Sequence, residues 1–231
     1  MVKEKIKILS ISDVVIDWVY SHNAAERFSD VDIIIGCGDL PYYYLEYMLT
    51  VLRAPAFFVR GNHDKMKEYC KTGSKSEPLG ATDLHRKVIR WGDLLLAGVE
   101  GCLRYRPNPF QYTQVEMWEH VLSLAPRLLL NRLRYGRFLD IFVAHAPPWE
   151  IHDEKDRAHN GIKAFTWLLN VFKPALFIHG HIHAYKPGKV TETIYRESKV
   201  INTYGYRENL FSTRSKELEL LSSYYKATRL E

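Results

Sequence analysis

The chain has 231 residues, 46 % of them hydrophobic, which suits one sizeable α/β domain with a real core and shows no repeat, low-complexity segment or linker. A formal charge of +5 and a pI near 9.0 favour an anionic substrate but are too diffuse to specify nucleic acid. Three widely spaced cysteines, Cys37, Cys70 and Cys102, give neither a disulfide framework nor a zinc pattern, and no run reaches membrane-spanning length or reads as a signal peptide. A reducing, cytoplasmic setting with no membrane contact is expected.

Residues 5–12 alternate and then become apolar, which predicts a first strand ending at Asp13, with Asp17 four residues on. Residues 20–28 read as helical. A second buried strand over 31–37 ends in Gly38-Asp39, and Pro41 opens a helix running from Tyr42 to Leu52. A third strand, 56–59, lies between Pro55 and Gly61 and leads into Gly61-Asn62-His63-Asp64. Thus three consecutive strands end in Asp13, Asp39 and Asn62-His63-Asp64, at spacings that fit a strand, a crossover helix and a return. Residues 71–78 read as a polar loop. Residues 87–91 and 94–99 form a hairpin around Gly92-Asp93, followed by a loop with Arg104 and Arg106. Thr113 and Glu116 make a capping box at a helix start, and a second helix is expected over 126–135. The arginines at 127, 132, 134 and 137 read as a solvated helix face rather than a phosphate-backbone surface. A strand over 139–144 ends in His145. A polar loop over 149–160 carries His152, Asp153, Asp156 and His159, which read first as a solvated loop and otherwise as a lid or as support for a metal site from behind. A helix over 161–172 precedes a strand, 175–178, that ends in His179-Gly180-His181-Ile182-His183. A hairpin over 188–203 follows, and residues 208–231 read as an amphipathic helix at the end of a single domain, 1–231.

Strand ends therefore supply Asp13, Asp39, Asn62, His145, His181 and His183. In parallel sheets such ends share one edge, where α/β proteins hold their ligands. Mixed carboxylate, amide and imidazole donors suit Mn, Fe, Zn or Co rather than a structural cysteine-type zinc site. His181 and His183 alternate across Ile182 and share a face if extended. In the Gly-Asn-His-Asp turn, Asn62 offers a carbonyl oxygen to a metal, His63 a proton near neutral pH, and Asp64 a carboxylate to orient that imidazole.

The blocks Ser12-Asp13, Gly38-Asp39, Gly61-Asn62-His63-Asp64, Ala144-His145-Ala146-Pro147 and Gly180-His181-Ile182-His183 resemble, in order, those of the calcineurin-like metallophosphoesterases. The resemblance spans residues 12–183. It implies a four-layer α/β/β/α sandwich of two mixed sheets and a dinuclear metal site. It also implies that Asp39 bridges the metals, that Asp13 and His183 bind one, and that Asn62, His145 and His181 bind the other. His63 then protonates the leaving alkoxide or binds the phosphoryl group, oriented by Asp64. The implied reaction is attack of a metal-bound hydroxide on a phosphate mono- or diester. Two divalent ions are expected, Mn foremost, with Fe, Zn, Mg and Co as the other candidates. With no specificity domain appended, a small or nucleotide-like substrate is favoured over a protein; a nuclease acting on DNA or RNA is the alternative.

One departure stands out. The family's first motif is Asp-x-His, and here Val15 takes the place of the histidine. Either Asp17 folds back as a replacement ligand, or water fills the gap, or only one metal binds and the protein becomes a phospho-ligand or partner-binding module of low turnover. Asp17 reads equally as a helix cap or an exposed carboxylate, and His22 is a more distant substitute. Tyr42 either lines the site mouth and stacks on an aromatic group or packs its helix on the sheet. Arg104 either meets substrate phosphate or forms a loop salt bridge.

Overall fold

The computed structural model describes residues 5–70, 73–183 and 189–212. In chain order the elements are β1 (Lys5–Ser12), α1 (Ala24–Arg27), β2 (Ile33–Gly36), α2 (Tyr42–Leu52), β3 (Ala56–Phe58), β4 (Glu68–Cys70), β5 (Gly73–Lys75), β6 (Ala81–Asp83), β7 (Lys87–Trp91) and β8 (Leu94–Val99). Then come β9 (Cys102–Leu103), β10 (Gln111–Tyr112), α3 (Gln114–Tyr135), β11 (Ile141–Ala144), α4 (Lys163–Phe172), β12 (Leu176–His179), β13 (Glu192–Tyr195), β14 (Ser198–Asn202) and β15 (Gly205–Ser212).

Two sheets carry the fold. One has the order β15-β1-β2-β3-β6, the other β13-β14-β12-β11-β8-β7. β1, β2, β3 and β6 run parallel, as do β8, β11, β12 and β14, while β15, β13 and β7 are antiparallel edge strands. Side chains alternate across each strand. Ile8, Ile33, Ile35, Leu96, Ile141 and Ile178 fill the space between the sheets. Leu9, Ile11, Ile34 and Phe58 face outward onto α1 and α2, while Ala97, Phe142 and Phe177 face outward onto α3 and α4. The result is an α/β/β/α sandwich of two mixed sheets. None of the described helices is long and apolar enough to cross a membrane.

Several expectations are corrected. The helix expected over 20–28 is one turn, α1. The polar stretch 71–78 contributes β5, which pairs with β4. Residues 208–212 belong to β15, which pairs with β1 in antiparallel register from Lys5↔Ser212 to Ser12↔Gly205. Asn209 and Phe211 point inward and Leu210 outward, a period of two where a helical face was expected; residues 213–231 lie outside the described residues. The two helices expected around Pro126 are one. An interior proline costs about 3 kcal/mol. Burial of Met117, Val121, Leu124 and Leu128 along the same face outweighs it, at roughly 1.5–3 kcal/mol per side chain. Pro126 sits on the exposed side, where water can satisfy the Leu122 carbonyl it leaves without a donor. The Thr113–Glu116 capping box is formed, and Gly136 closes the helix in the left-handed conformation at φ 72°.

This continuous register predicts that Leu128→Ala lowers the unfolding free energy by about 2–5 kcal/mol in urea titrations. Arg134→Ala, on the exposed side of the same helix, is expected to leave the midpoint unchanged.

Candidate metal centre

β1, β2 and β3 end at one edge of their sheet, and β11 and β12 end at the facing edge of the other. Each edge is tied within itself. The Asp13 amide donates to the Gly38 carbonyl at 3.1 Å, and the Gly180 amide to the His145 carbonyl at 3.0 Å. The two edges are then joined across the gap, where the His181 amide donates to both Asp13 carboxylate oxygens at 3.1 Å. Asp13, Asp39 and His181 all take left-handed φ values, 66°, 56° and 67°, which non-glycine residues adopt at a cost of about 1–3 kcal/mol. Neighbouring glycines make room for them. A Cβ on Gly61 would collide with Asp39 Oδ1, and one on Gly180 with Ser12 Oγ and the Asp13 carboxylate.

Asp39, His145 and His181 each place a ligand atom within 4.8 Å of the others. His145 is fully buried. Its Nδ1–H donates to the Cys37 carbonyl at 2.8 Å, which leaves Nε2 facing Asn62 Oδ1 at 3.0 Å and Asp39 Oδ2 at 3.4 Å. A neutral ring in that tautomer would aim a lone pair at two oxygens, so the geometry calls for a cation among these atoms: a proton or a metal ion. Burial alone would push the His145 imidazolium down, but the Asp39 carboxylate outweighs it and lifts the group to about 9. Burial likewise would raise Asp39, yet His145 and the His63 amide, donating to Oδ1 at 2.7 Å, hold it at about 2. His181 donates from Nε2 to the Ala158 carbonyl at 2.9 Å, leaving Nδ1 for the centre. Burial and the nearby His145 push it down to about 3, so it is neutral and ready to coordinate. Asn62 donates from Nδ2 to the Tyr105 hydroxyl at 3.1 Å, which fixes its carbonyl oxygen toward His145. Carboxylate, amide oxygen and two imidazole nitrogens thus converge with their outer atoms already bonded, a donor set that fits a divalent transition metal.

A second group lies beside the first. His183 Nε2 is 3.8 Å from Asp13 Oδ1, with the His183 side chain 49 % exposed and Asp13 almost wholly enclosed. Burial raises Asp13, opposed by His145 and reinforced by Asp39. Val15 packs into the outer apolar cluster with Val19 and Phe28 and offers nothing to this position.

The sequence profile of the calcineurin-like phosphoesterases matches residues 6–185. The chain belongs to the calcineurin-like phosphoesterase family. A search of curated proteins found no match. Among solved structures, TT1561 of Thermus thermophilus is 18 % identical over 93 % of this chain and 97 % of that one, with a TM-score of 0.57, a likeness of fold alone. GAP50, the anchor in the inner membrane complex of Plasmodium, is 13 % identical over 94 % and 87 % of the two chains at 0.49. An archaeal phosphodiesterase is 16 % identical over 89 % and 100 % at 0.40. The last two likenesses are too loose to argue from.

In this calcineurin-like phosphoesterase the remaining expected residues fall as follows. Asp17 lies exposed in a turn after β1 and is not brought to the group; His22 is exposed as well. The backbone explains it: the Val19 and Tyr20 amides both donate to the Ile16 carbonyl, which turns this segment away. Arg104 is committed to Glu116, at 3.0 and 3.1 Å, and to the Gln111 carbonyl, so it is a loop salt bridge and not a phosphate contact. Tyr42 is buried, with its hydroxyl on the Lys65 and Ser76 carbonyls at 2.6 and 2.9 Å, so it braces the loop after β3 and does not line a mouth. Asp64 accepts from the Gly61 and Leu40 amides at 2.8 and 2.9 Å, tying the Asp39 and Asn62 turns together, and this replaces the expected bond to His63. Burial and the Asp39 charge push Asp64 up to about 7. His63 is exposed at the rim. Of the 149–160 loop, Ala158 supports the centre by orienting His181, while half-buried His152 donates from Nδ1 to His179 Nε2 at 2.9 Å and accepts from Thr193, bracing the strand that leads into the His181 turn. Sequence reasoning missed Tyr105. It sits in an irregular loop, and only the neighbouring Gly101, whose amide meets the Arg60 carbonyl, hints that this loop abuts the Asn62 turn.

Tyr105→Phe leaves the Asn62 amide without its acceptor. Metal affinity is expected to fall about 10–100-fold by competition with a chelator, with the circular-dichroism spectrum unchanged. Because a proton and a metal compete for His145 Nε2, apparent metal affinity should rise about tenfold per pH unit from neutral pH and level off above about 9. A flat profile in calorimetric titrations would remove His145 from the ligand set.

Proposed function

We propose that the protein hydrolyses a phosphate mono- or diester, small or nucleotide-like, with Asp39, Asn62, His145 and His181 holding the principal divalent ion. The observation that carries this reading is the convergence of those four donors with every outer atom tied to Tyr105, Cys37, Ala158 or His63. Asp13, His183 and Asp39 offer a second, weaker position, and Mn suits the oxygen-rich mixture. Divalent ions there supply Lewis-acid charge to phosphoryl oxygens and lower the pKa of water. The chain's own residues do the rest. Asn62 and Asp39 are held rigid by the Tyr105 hydroxyl and the His63 amide, so little reorganisation is needed as charge develops. His63, exposed on the turn that carries Asn62, is assigned in this reading to give its proton to the departing alkoxide or to bind the phosphoryl group. The free, buried thiols of Cys37 and Cys102 accord with a reducing, cytoplasmic compartment.

A second reading is a phospho-ligand-binding module of low turnover. It is favoured by Val15, which spends its side chain on the outer core. One experiment separates the two: metal content and hydrolysis of an aryl phosphodiester with added Mn. Turnover in the natural protein, lost at least about 100-fold in Asn62→Ala and His63→Ala, supports the enzyme. Val15→His is expected to raise bound metal toward two per chain. Tight binding of the ester without turnover, in both natural protein and Val15→His, would replace the enzyme with the binding module.

A further inference from the structure

The solvent face of α3 carries an apolar stripe that packs on none of the hydrophobic clusters among the described residues. Val115, Leu122, Leu129 and Leu133 are 67, 49, 54 and 84 % exposed. Together with Glu119 and Pro126 they fall at 115, 119, 122, 126, 129 and 133, the alternating four-and-three spacing of a coiled-coil seam. Met117, Val121, Leu124 and Leu128 are buried on the opposite side, so the stripe is surplus to the core. α4 widens it: Trp167 packs on Trp118 with ring centroids 5.3 Å apart, and Val171 is 40 % exposed. Contiguous apolar surface of this kind marks an interaction site rather than ordinary scatter.

We propose that this face of α3 pairs with the same face of a second copy of the chain, the two helices running antiparallel about a two-fold axis at the level of residue 124. The seam reads nearly the same in both directions. The axis sets Val115 against the partner's Leu133 and Leu122 against the partner's Pro126, while Glu119 meets the partner's Leu129 at the edge of the seam. Charge chooses the direction. With Glu116 held by Arg104 and Arg132 by the Gly136 carbonyl, the charges left for a partner are Glu119 in the N-terminal third of α3 and Arg127 and Arg134 in its C-terminal half. An antiparallel pair brings each acidic end to a basic end and opposes the helix dipoles; a parallel pair would stack like charges. A self-complementary patch of this kind closes as a two-fold dimer and leaves no open end. The seam from Val115 to Leu133 runs about 27 Å along the helix. The arrangement also gives the arginine-rich end of α3 an occupant, the partner's acidic end, without invoking nucleic acid.

The test is sedimentation velocity of the full chain across the micromolar range. A dimer is expected. The double variant Leu129→Glu, Leu133→Glu should be monomeric, with an unchanged circular-dichroism spectrum and the natural metal content as the check that it folds. Glu119→Arg should weaken the dimer at least about tenfold, and adding Arg127→Glu should restore it. A natural protein that stays monomeric overturns the proposal and leaves the face to residues 213–231 or to a different protein. A dimer indifferent to the two glutamates, or a charge swap that fails to restore it, overturns the α3 pairing as well.

Discussion

Asp39 is the constraint on which the rest depends. Its side chain is 7 % exposed, and a carboxylate so enclosed is costly unless a cation faces it. The cation comes from the other sheet: His145, at the end of β11, turns its Nε2 toward Asp39 while its Nδ1 bonds the Cys37 carbonyl just past β2. One imidazole thus joins the two sheets at their C-terminal edges and sets where the centre lies. Removing either partner would leave an uncompensated buried charge, so the pairing is more consequential for specifying the arrangement than for net stability. A metal ion bound there would take the proton's place, satisfying the same oxygens without a charge on the ring.

Around that pair the protein has ordered its polar groups before any ligand arrives. Asn62 is held by Tyr105, His181 by Ala158, and the two turns carrying Asp39 and Asn62 by Asp64. Each of these bonds removes a rotamer choice that would otherwise oppose metal binding. Three left-handed non-glycine residues, two at one sheet's edge and one at the facing edge, show the other side of this order. Their strain is borne by the bonds of the two sheets and by glycines whose lack of a Cβ lets the turns approach.

Much of this was legible in the sequence because the decisive positions follow short apolar runs. A strand's period of two and its apolar end locate the edge, and a Gly-Asp, Gly-Asn-His-Asp or Gly-His-x-His block at each edge identifies the donors. The Thr113–Glu116 capping box was legible for the same reason, since its chemistry is local. What failed was non-local. Pro126 signals a helix start by local rules, and only burial of Leu124 and Leu128 on one continuous face overrules it. Leu210 fits a helical stripe equally well until β1 claims residues 205–212 as a paired strand. Tyr105 and Arg104 are neighbours in one irregular loop, and their fates diverge through partners at Asn62 and Glu116 that no spacing rule connects.

The survival of Asp13 beside the loss of its histidine has a physical account in this chain. Both Asp13 oxygens accept the His181 amide, so the carboxylate anchors the turn that aims His181 and keeps a role whether or not a second ion binds. Val15, by contrast, belongs to a segment drawn toward the outer helices, where an apolar side chain is worth burying. The two halves of the centre are therefore unequal: one set of donors is rigid and enclosed, and the other ends on a half-exposed His183. Charge makes the inequality matter. Asp13 and Asp39, with Asp64 held at about 7 beside them, carry roughly the negative charge that a single divalent ion with neutral imidazoles would offset. A second ion would add net positive charge in a low-dielectric pocket, tolerable only when an anion such as a phosphoryl group arrives to offset it. Occupancy of the weaker position and binding of the substrate anion should then favour one another by the same free energy, a linkage that follows from electrostatics and from the missing fourth ligand.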